Sequence, residues 1–148
     1  MMSFLRYWLP LLVWLCVIFS ASADTQSTER TSRFLEPFLR WFKPDISAEA
    51  IGVVRLVARK TAHAVEYAIL AWLTWRAFRR PTRGDRRPWS WPLAAGVLFS
   101  VILYAASDEW HQAFVPNRTG AFTDVCIDVA GGIVGLALVW IFYGRHSD

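Results

Sequence analysis

Polar and ionisable side chains crowd into residues 107–132, a stretch that lies between two long apolar runs. They carry carboxylate, guanidinium, imidazole and amide groups: Asp108, Glu109, His111, Gln112, Arg118, Asp124 and Asp128. Such groups are costly next to a bilayer unless they bind one another or a polar ligand, so they indicate a functional site. We expect Arg118 to form a charge-assisted pair with Asp108, Glu109 or Asp124.

A second polar cluster lies in residues 59–67, where the sequence reads RKTAHAVEY. On a helix, Lys60, His63 and Tyr67 fall within about 60° of one another, and Glu66 lies on the adjoining flank. These groups can form a hydrogen-bonded string or contact an anionic headgroup. The alternative is structural, with Lys60 extending to the membrane surface while His63 and Glu66 tie neighbouring helices together.

The two clusters carry complementary charge. Asp124 and Asp128 are four residues apart, so they share one helix face and need compensation from Lys60, Arg118 or a proton. Gly131 and Gly135 follow at the same spacing, which favours a close helix–helix approach beside the charged groups. We therefore predict one polar pocket built from both clusters.

Long apolar segments must position these residues. The chain has 148 residues, of which 55% are hydrophobic, and four segments approach the roughly 20 residues that cross a bilayer. We predict a single all-α membrane domain, residues 1–148, with four transmembrane helices in a small bundle: 4–23, 57–78, 91–107 and 125–143. A lipid-facing strand outside a closed barrel would leave its backbone unsatisfied.

The first apolar segment has two interpretations. Arg6, the apolar run and the small residues Ala21, Ser22 and Ala23 are typical of a cleaved secretory signal. The length of the run and its tryptophans favour a retained helix instead. Either way, the end of this segment crosses the membrane.

The connector between the first two predicted spans has two parts. Residues 24–32 are polar and predict a mobile link. Residues 34–44 place four aromatic side chains on one face, which predicts a short helix in the membrane interface: Phe34, Phe38, Trp41 and Phe42. The alternative is that these aromatics pack on the bundle. Ser47 is a plausible cap for a helix that continues into the second span.

Charge placement suggests an orientation. The loop around residues 79–87 is short and arginine-rich, and the positive-inside rule places such a loop in the cytoplasm. Both termini are then cytoplasmic and the two polar clusters extracytoplasmic. The net charge of +4 is explained by arginines beside anionic lipid, so no nucleic-acid partner is expected. Cys16 and Cys126 lack partners at metal-site spacing, so neither a disulfide nor a zinc site is expected there.

Two motifs resemble those of a known family. Arg-Lys-x-x-His-x-x-Glu-Tyr at 59–67 and Asp-Glu-x-x-Gln at 108–112 are similar to signatures of the VanZ-like family of small bacterial membrane proteins. The second is followed by further matching residues: Phe114, Pro116, Arg118, Asp124, Asp128 and Gly131. Two positions depart from the family pattern. Asn117 stands where a glycine is common, and Asp128 stands where an asparagine is frequent, which adds a carboxylate.

The resemblance implies an integral protein of the bacterial inner membrane and cell envelope. The family's namesake is associated with reduced susceptibility to the glycopeptide teicoplanin. Within the two motifs, the resemblance points to these residues: Lys60, His63, Tyr67, Asp108, Glu109, Gln112, Arg118 and Asp124.

Three functions fit the predicted pocket. The favoured one is binding or modulation of a lipid headgroup, a lipid-linked precursor or an amphiphilic glycopeptide. Its predicted ligand-binding residues are Lys60, His63, Glu66, Tyr67, Asp108, Glu109, Gln112, Arg118, Asp124 and Asp128. The alternatives are a membrane enzyme using His63 as general acid or base, and a structural protein acting through a homo-oligomer or a membrane-protein partner.

A non-enzymatic role is favoured over the enzyme, because the sequence contains no familiar nucleophile or zinc-protease motif. No cofactor is expected. A metal site is not predicted either, although one set of residues at metal-ligating positions is an open alternative: Asp108, Glu109, His111 and Asp124.

Overall fold

A computed structural model of the chain describes residues 2–23, 27–80, 87–114 and 121–144. Within these ranges the protein is helical and has no strand, which confirms the predicted all-α class. The helices are α1 (Met2–Ala23), α2 (Ser27–Phe42), α3 (Ala48–Arg79), α4 (Trp91–Gln112) and α5 (Phe122–Val139), and a π-helical turn, Trp140–Gly144, follows α5.

Three helices in the described ranges are long and apolar enough to cross a membrane: Phe4–Ser22 in α1, Trp91–Gln112 in α4, and Phe122–Tyr143 in α5 with its π turn. Helix α3 contains the predicted second span, but it is less apolar than these three helices and is not a candidate span by length and hydropathy alone. Its 32 residues include several charged side chains: Glu49, Arg55, Arg59, Lys60, Glu66, Arg76 and Arg79. This helix packs against each of α1, α4 and α5, so much of its surface faces protein.

Helix α3 begins where the sequence predicts it. The side chain of Ser47 accepts a hydrogen bond from the backbone N–H of Ala50 at 3.2 Å, which caps the first turn. From there the helix runs without a break to Arg79. It ends at Arg80, whose φ of 48° lies in the left-handed region that commonly terminates helices.

Helix α2 is longer than the predicted interfacial helix. The predicted mobile link, residues 24–32, is wrong for its second part, because the helix already begins at Ser27. Glu36 and Arg40 form an ion pair at 3.0 Å with the spacing that stabilises a helix surface. Phe34 and Trp41 remain 78% and 76% exposed, so these aromatics do not pack on the bundle.

The two ends of the polar segment are helical rather than loop-like. Helix α4 continues five residues past the predicted end at 107, because Gln112 donates to Asp108 within the last turn. Helix α5 starts at Phe122, three residues before the predicted start at 125. The chemistry-bearing residues of this segment therefore sit on rigid elements.

The helices pack around a common core, with α1 and α4 running in one direction and α3 and α5 in the other. The hydroxyl of Tyr104 in α4 donates to the carbonyl of Leu15 in α1 at 2.7 Å, and the indole of Trp14 donates to the carbonyl of Glu66 in α3 at 3.0 Å. Ser22 at the end of α1 then lies beside Asp108 near the end of α4, and Glu109 in the same turn of α4 contacts the start of α5. The fold thus brings the two polar clusters to one end.

Candidate functional site

An ion pair joins the two polar clusters across α3 and α5. The Nζ of Lys60 lies 2.5 Å from Oδ1 of Asp124, and the two side chains are 34% and 24% exposed. Lys60 is therefore the cation that charge balance requires for Asp124, one of the two aspartates on this face of α5. It also fixes the register between the two helices at the edge of the site.

One turn deeper, His63 faces Asp128. The Nδ1 of His63 lies 3.5 Å from Oδ1 of Asp128, which is within ion-pair reach but long for a hydrogen bond. Asp128 is fully buried, and neither of its carboxylate oxygens has a hydrogen-bond partner among the described residues. A buried carboxylate in that condition is energetically costly.

Asp108 is held by α1 as well as by its own helix. Its Oδ2 accepts from the hydroxyl of Ser22 at 2.7 Å and from the amide of Gln112 at 3.1 Å. All three residues are at least 94% buried. Its other oxygen, Oδ1, has no hydrogen-bond partner within the described part of the chain.

The remaining predicted residues are placed differently. Glu109 accepts a hydrogen bond from the backbone N–H of Ala121 at 2.9 Å, which ties the end of α4 to the start of α5.

Tyr67 is fully buried in the apolar core, with its ring centroid 6.3 Å from that of Tyr104. The side chain of Glu66 is half-buried. Arg118 lies outside the described residues, so its predicted pairing stays a prediction.

A small pocket opens between α3 and α5. Two basic residues, Arg59 and Lys60, line it together with His63, Gln112, Asp124, Ile127 and Asp128. Its enclosed volume is about 10 Å³, close to the smallest space that holds a water molecule. The pocket therefore suits an ion, a water molecule or a small polar group.

The family profile described as VanZ/LLP1 matches residues 7–143, which is nearly the whole chain. The chain belongs to the VanZ/LLP1 family. This confirms the resemblance drawn from the two motifs and, with the apolar helices, identifies a membrane protein. No curated protein and no solved structure matches the sequence significantly.

In this VanZ/LLP1 protein the two motifs meet in space. His63 from the first motif, Asp108 from the second and Asp128 further along each offer a ligand atom, and these atoms lie within 4.8 Å of one another. An imidazole beside a carboxylate can accept or donate a proton. The same donor set can coordinate a divalent cation.

Two residues of the VanZ/LLP1 site are absent from the predicted set. Arg59 lines the pocket, although the helical spacing points to its neighbour Lys60. Ser22 lies in a small-residue stretch that is typical of a cleavage signal. The sequence does indicate a contact for Ser22, because this residue shares a helical face with the buried residues Leu11 and Ile18. A polar side chain on a buried face needs a hydrogen-bond partner.

Proposed function

We propose that this VanZ/LLP1 protein binds the polar headgroup of a membrane lipid, or of a lipid-linked envelope precursor, at the mouth of this pocket. The observation that carries the proposal is the composition of the pocket wall. Arg59 and Lys60 line the pocket together with His63, Gln112 and Asp128. Cations suit a phosphate group, while the amide and carboxylates suit hydroxyl or amino groups.

The size of the pocket favours one of the proposed ligand classes. A glycopeptide antibiotic is far larger than the enclosed volume of about 10 Å³. A headgroup resting over the opening needs only one phosphate or hydroxyl to reach the polar residues. The proposal therefore commits to a lipid headgroup.

We infer in addition that α3 forms a fourth span. At about 1.5 Å per residue its 32 residues extend for about 48 Å, which exceeds the hydrocarbon core of roughly 30 Å. It also runs antiparallel to α1 and parallel to α5, as contacts near both ends of each pair indicate, which is the arrangement expected when the chain crosses the membrane at α1, α3, α4 and α5 in turn. Its charged residues lie at its ends or against protein, where they are tolerated.

The proposed orientation follows from charge. The arginines at the end of α3 support an orientation in the inner membrane in which that end of the bundle, together with both termini, faces the cytoplasm. The polar site then faces outward. The exposed aromatic face of α2 lies along the extracytoplasmic interface, where Trp and Phe are favoured.

Lipid analysis tests the headgroup proposal. The protein is extracted with its surrounding bilayer in polymer nanodiscs, and its lipids are compared by mass spectrometry with those of the whole membrane. We expect enrichment of one anionic lipid class in the wild type, and a loss of that enrichment in Arg59→Gln and Lys60→Gln. Lys43→Gln removes an exposed cation that does not line the pocket and should retain it. Equal lipid composition in the wild type and the bulk membrane contradicts the proposal.

A structural role is the second candidate, supported by the buried contacts of Ser22, Asp108 and Gln112. These contacts join α1 to α4, and they stabilise the bundle without any ligand. Under this alternative, Asp108→Asn lowers the amount of protein in the membrane, while the lipid composition around the remaining protein stays unchanged.

A further inference from the structure

Three helices each contribute one metal-ligating side chain to the centre of the polar site. His63 comes from α3, Asp108 from α4 and Asp128 from α5, and one potential ligand atom of each lies within 4.8 Å of the other two. The two aspartates are 3% and 0% exposed, and the imidazole side chain is 20% exposed. These residues are far apart in sequence, so the fold itself assembles the cluster.

The atoms of this cluster lack other partners in the described structure. Both carboxylate oxygens of Asp128, Oδ1 of Asp108 and Nδ1 of His63 are buried without a hydrogen bond. Buried polar atoms nearly always find a partner, and each exception calls for an explanation such as a bound ion. Each of the three clustered residues therefore carries a buried atom without a partner, which points to a shared occupant.

The charge of the cluster indicates the kind of occupant. Lys60, the nearby lysine, is already paired with Asp124. Two ionised carboxylates at membrane depth are costly unless their charge is compensated. A divalent cation compensates both charges, whereas a proton on His63 compensates one and a water molecule neither.

The distances and the supporting contacts suit coordination. Two ligands about 2.1 Å from a tetrahedral ion lie about 3.4 Å apart, and Nδ1 of His63 is 3.5 Å from Oδ1 of Asp128. The hydrogen bonds from Ser22 and Gln112 to Oδ2 of Asp108 orient this carboxylate and leave its Oδ1 for an ion. Such outer hydrogen bonds are a common feature of metal sites.

We propose that His63, Asp108 and Asp128 bind a divalent transition-metal ion, with Zn²⁺ as the best fit, and that water completes its coordination. An imidazole ligand favours Zn²⁺ over Mg²⁺ and Ca²⁺, which prefer oxygen ligands alone. The pocket beside His63 and Asp128 supplies a path for entry. This inference goes beyond headgroup binding and does not depend on it.

The structure replaces the metal-ligand set considered from the sequence. Of that set, Asp124 pairs with Lys60, and Glu109 accepts from the backbone of Ala121. His111 lies against Phe19, with the ring centroids 4.5 Å apart. Among these four residues, Asp108 alone belongs to the cluster that it forms with His63 and Asp128 in the described structure.

Metal titration tests the proposal directly. The protein carries Cys16→Ser and Cys126→Ser, so that no thiol can bind the ion. It is purified in detergent, stripped with a chelator and titrated separately with Zn²⁺, Mn²⁺, Mg²⁺ and Ca²⁺ by calorimetry. We expect saturable binding of one Zn²⁺ per chain, weaker binding of Mn²⁺, and little or none of Mg²⁺ or Ca²⁺. X-ray absorption of the zinc-loaded protein should show imidazole and oxygen ligands.

Matched variants separate this site from incidental binding. Asp128→Asn preserves the side-chain shape and should abolish stoichiometric binding, as should His63→Ala. His111→Ala removes a histidine at the same end of the bundle and should leave binding intact. The proposal is overturned if folded wild-type protein, monodisperse in detergent, binds no Zn²⁺ at micromolar concentrations. Zn²⁺ binding that survives in both Asp128→Asn and His63→Ala also overturns it, while the lipid measurement remains independent.

Discussion

Gly131 of α5 lies directly on the backbone of Ala64 in α3. A Cβ atom added at Gly131 would come within 2.2 Å of the carbonyl oxygen of Ala64. Four residues later the contact repeats, since a Cβ at Gly135 would lie 2.3 Å from the carbonyl oxygen of Ala68. The two helices therefore approach along matching small-residue faces, as the glycine spacing predicts.

This close contact positions the polar cluster. His63 precedes Ala64 and Asp128 lies one turn before Gly131, so the glycine contact brings the imidazole and the carboxylate together. We expect Gly131→Ala to push the helices apart and to cost about 1–3 kcal/mol of stability, the usual penalty of overpacking. The measurement is the thermal unfolding temperature of detergent-purified protein.

Gly96→Ala is the matched control for that experiment. Gly96 also lies in a helix, but nothing lies within 4 Å of a Cβ added there. Because alanine favours helix over glycine, this variant should be as stable as the wild type or slightly more so. Equal stability of Gly131→Ala and Gly96→Ala would show that α3 and α5 are not in contact at Gly131.

Ser22 has a role in stability that its neighbour Ser20 lacks. Ser22 is buried and donates to the carboxylate of Asp108, whereas Ser20 is exposed and donates to the carbonyl of Cys16 in its own helix. We expect Ser22→Ala to cost about 1–3 kcal/mol, because it leaves a buried acceptor short of a donor. Ser20→Ala should be nearly neutral. Unfolding temperatures of the two variants, measured side by side, provide the check.

The Ser22 contact also bears on the first apolar segment. If α1 were removed after Ala23, Asp108 would lose this donor. An intact amino-terminal epitope on the mature membrane protein is therefore the result expected from the predicted retained helix. A mature protein lacking the epitope would contradict it.

The sequence alone predicts which polar residues of α3 and α5 share a helix face and that their charges must balance. Helical spacing alone placed Lys60 and His63 on one face, and charge balance required a cation near Asp124 and Asp128. Both arguments depend only on local geometry and on the cost of unpaired charge near lipid. The pairing of His63 with Asp128 could not be predicted, because it depends on the crossing of two helices.

Helix α4 ends later than its apolar pattern predicts, for a physical reason. The pattern predicts an end at 107, where the apolar run stops and the charged residues begin. Hydropathy cannot reveal that Asp108 and Gln112 continue the helix by facing Ser22. That contact joins residues more than 80 positions apart, and its signal in the sequence is only a lone serine on the buried face of α1.

The Lys60–Asp124 pair should contribute more than an exposed pair does. A double-mutant cycle with Lys60→Met and Asp124→Asn isolates its coupling energy, which we expect to be about 1 kcal/mol or more because both groups are half-buried. The exposed pair Glu36–Arg40 serves as a reference, with an expected coupling of about 0.3–0.5 kcal/mol. Unfolding of all variants is followed by the same thermal assay. A coupling no larger than that of the reference pair would mean that solvent screens the Lys60–Asp124 contact.

Labelling of single cysteines tests the proposed topology. Asp45, in the turn before α3, and Arg80, at the other end of that helix, are both exposed and are separated by its full length. In a background with Cys16→Ser and Cys126→Ser, Asp45→Cys should react with a membrane-impermeant maleimide on intact cells. Arg80→Cys should react only after permeabilisation, because its arginine-rich surroundings favour the cytoplasm. If both positions react from the same side, α3 does not span the bilayer, and the polar site cannot lie at an outward-facing end of four crossing helices.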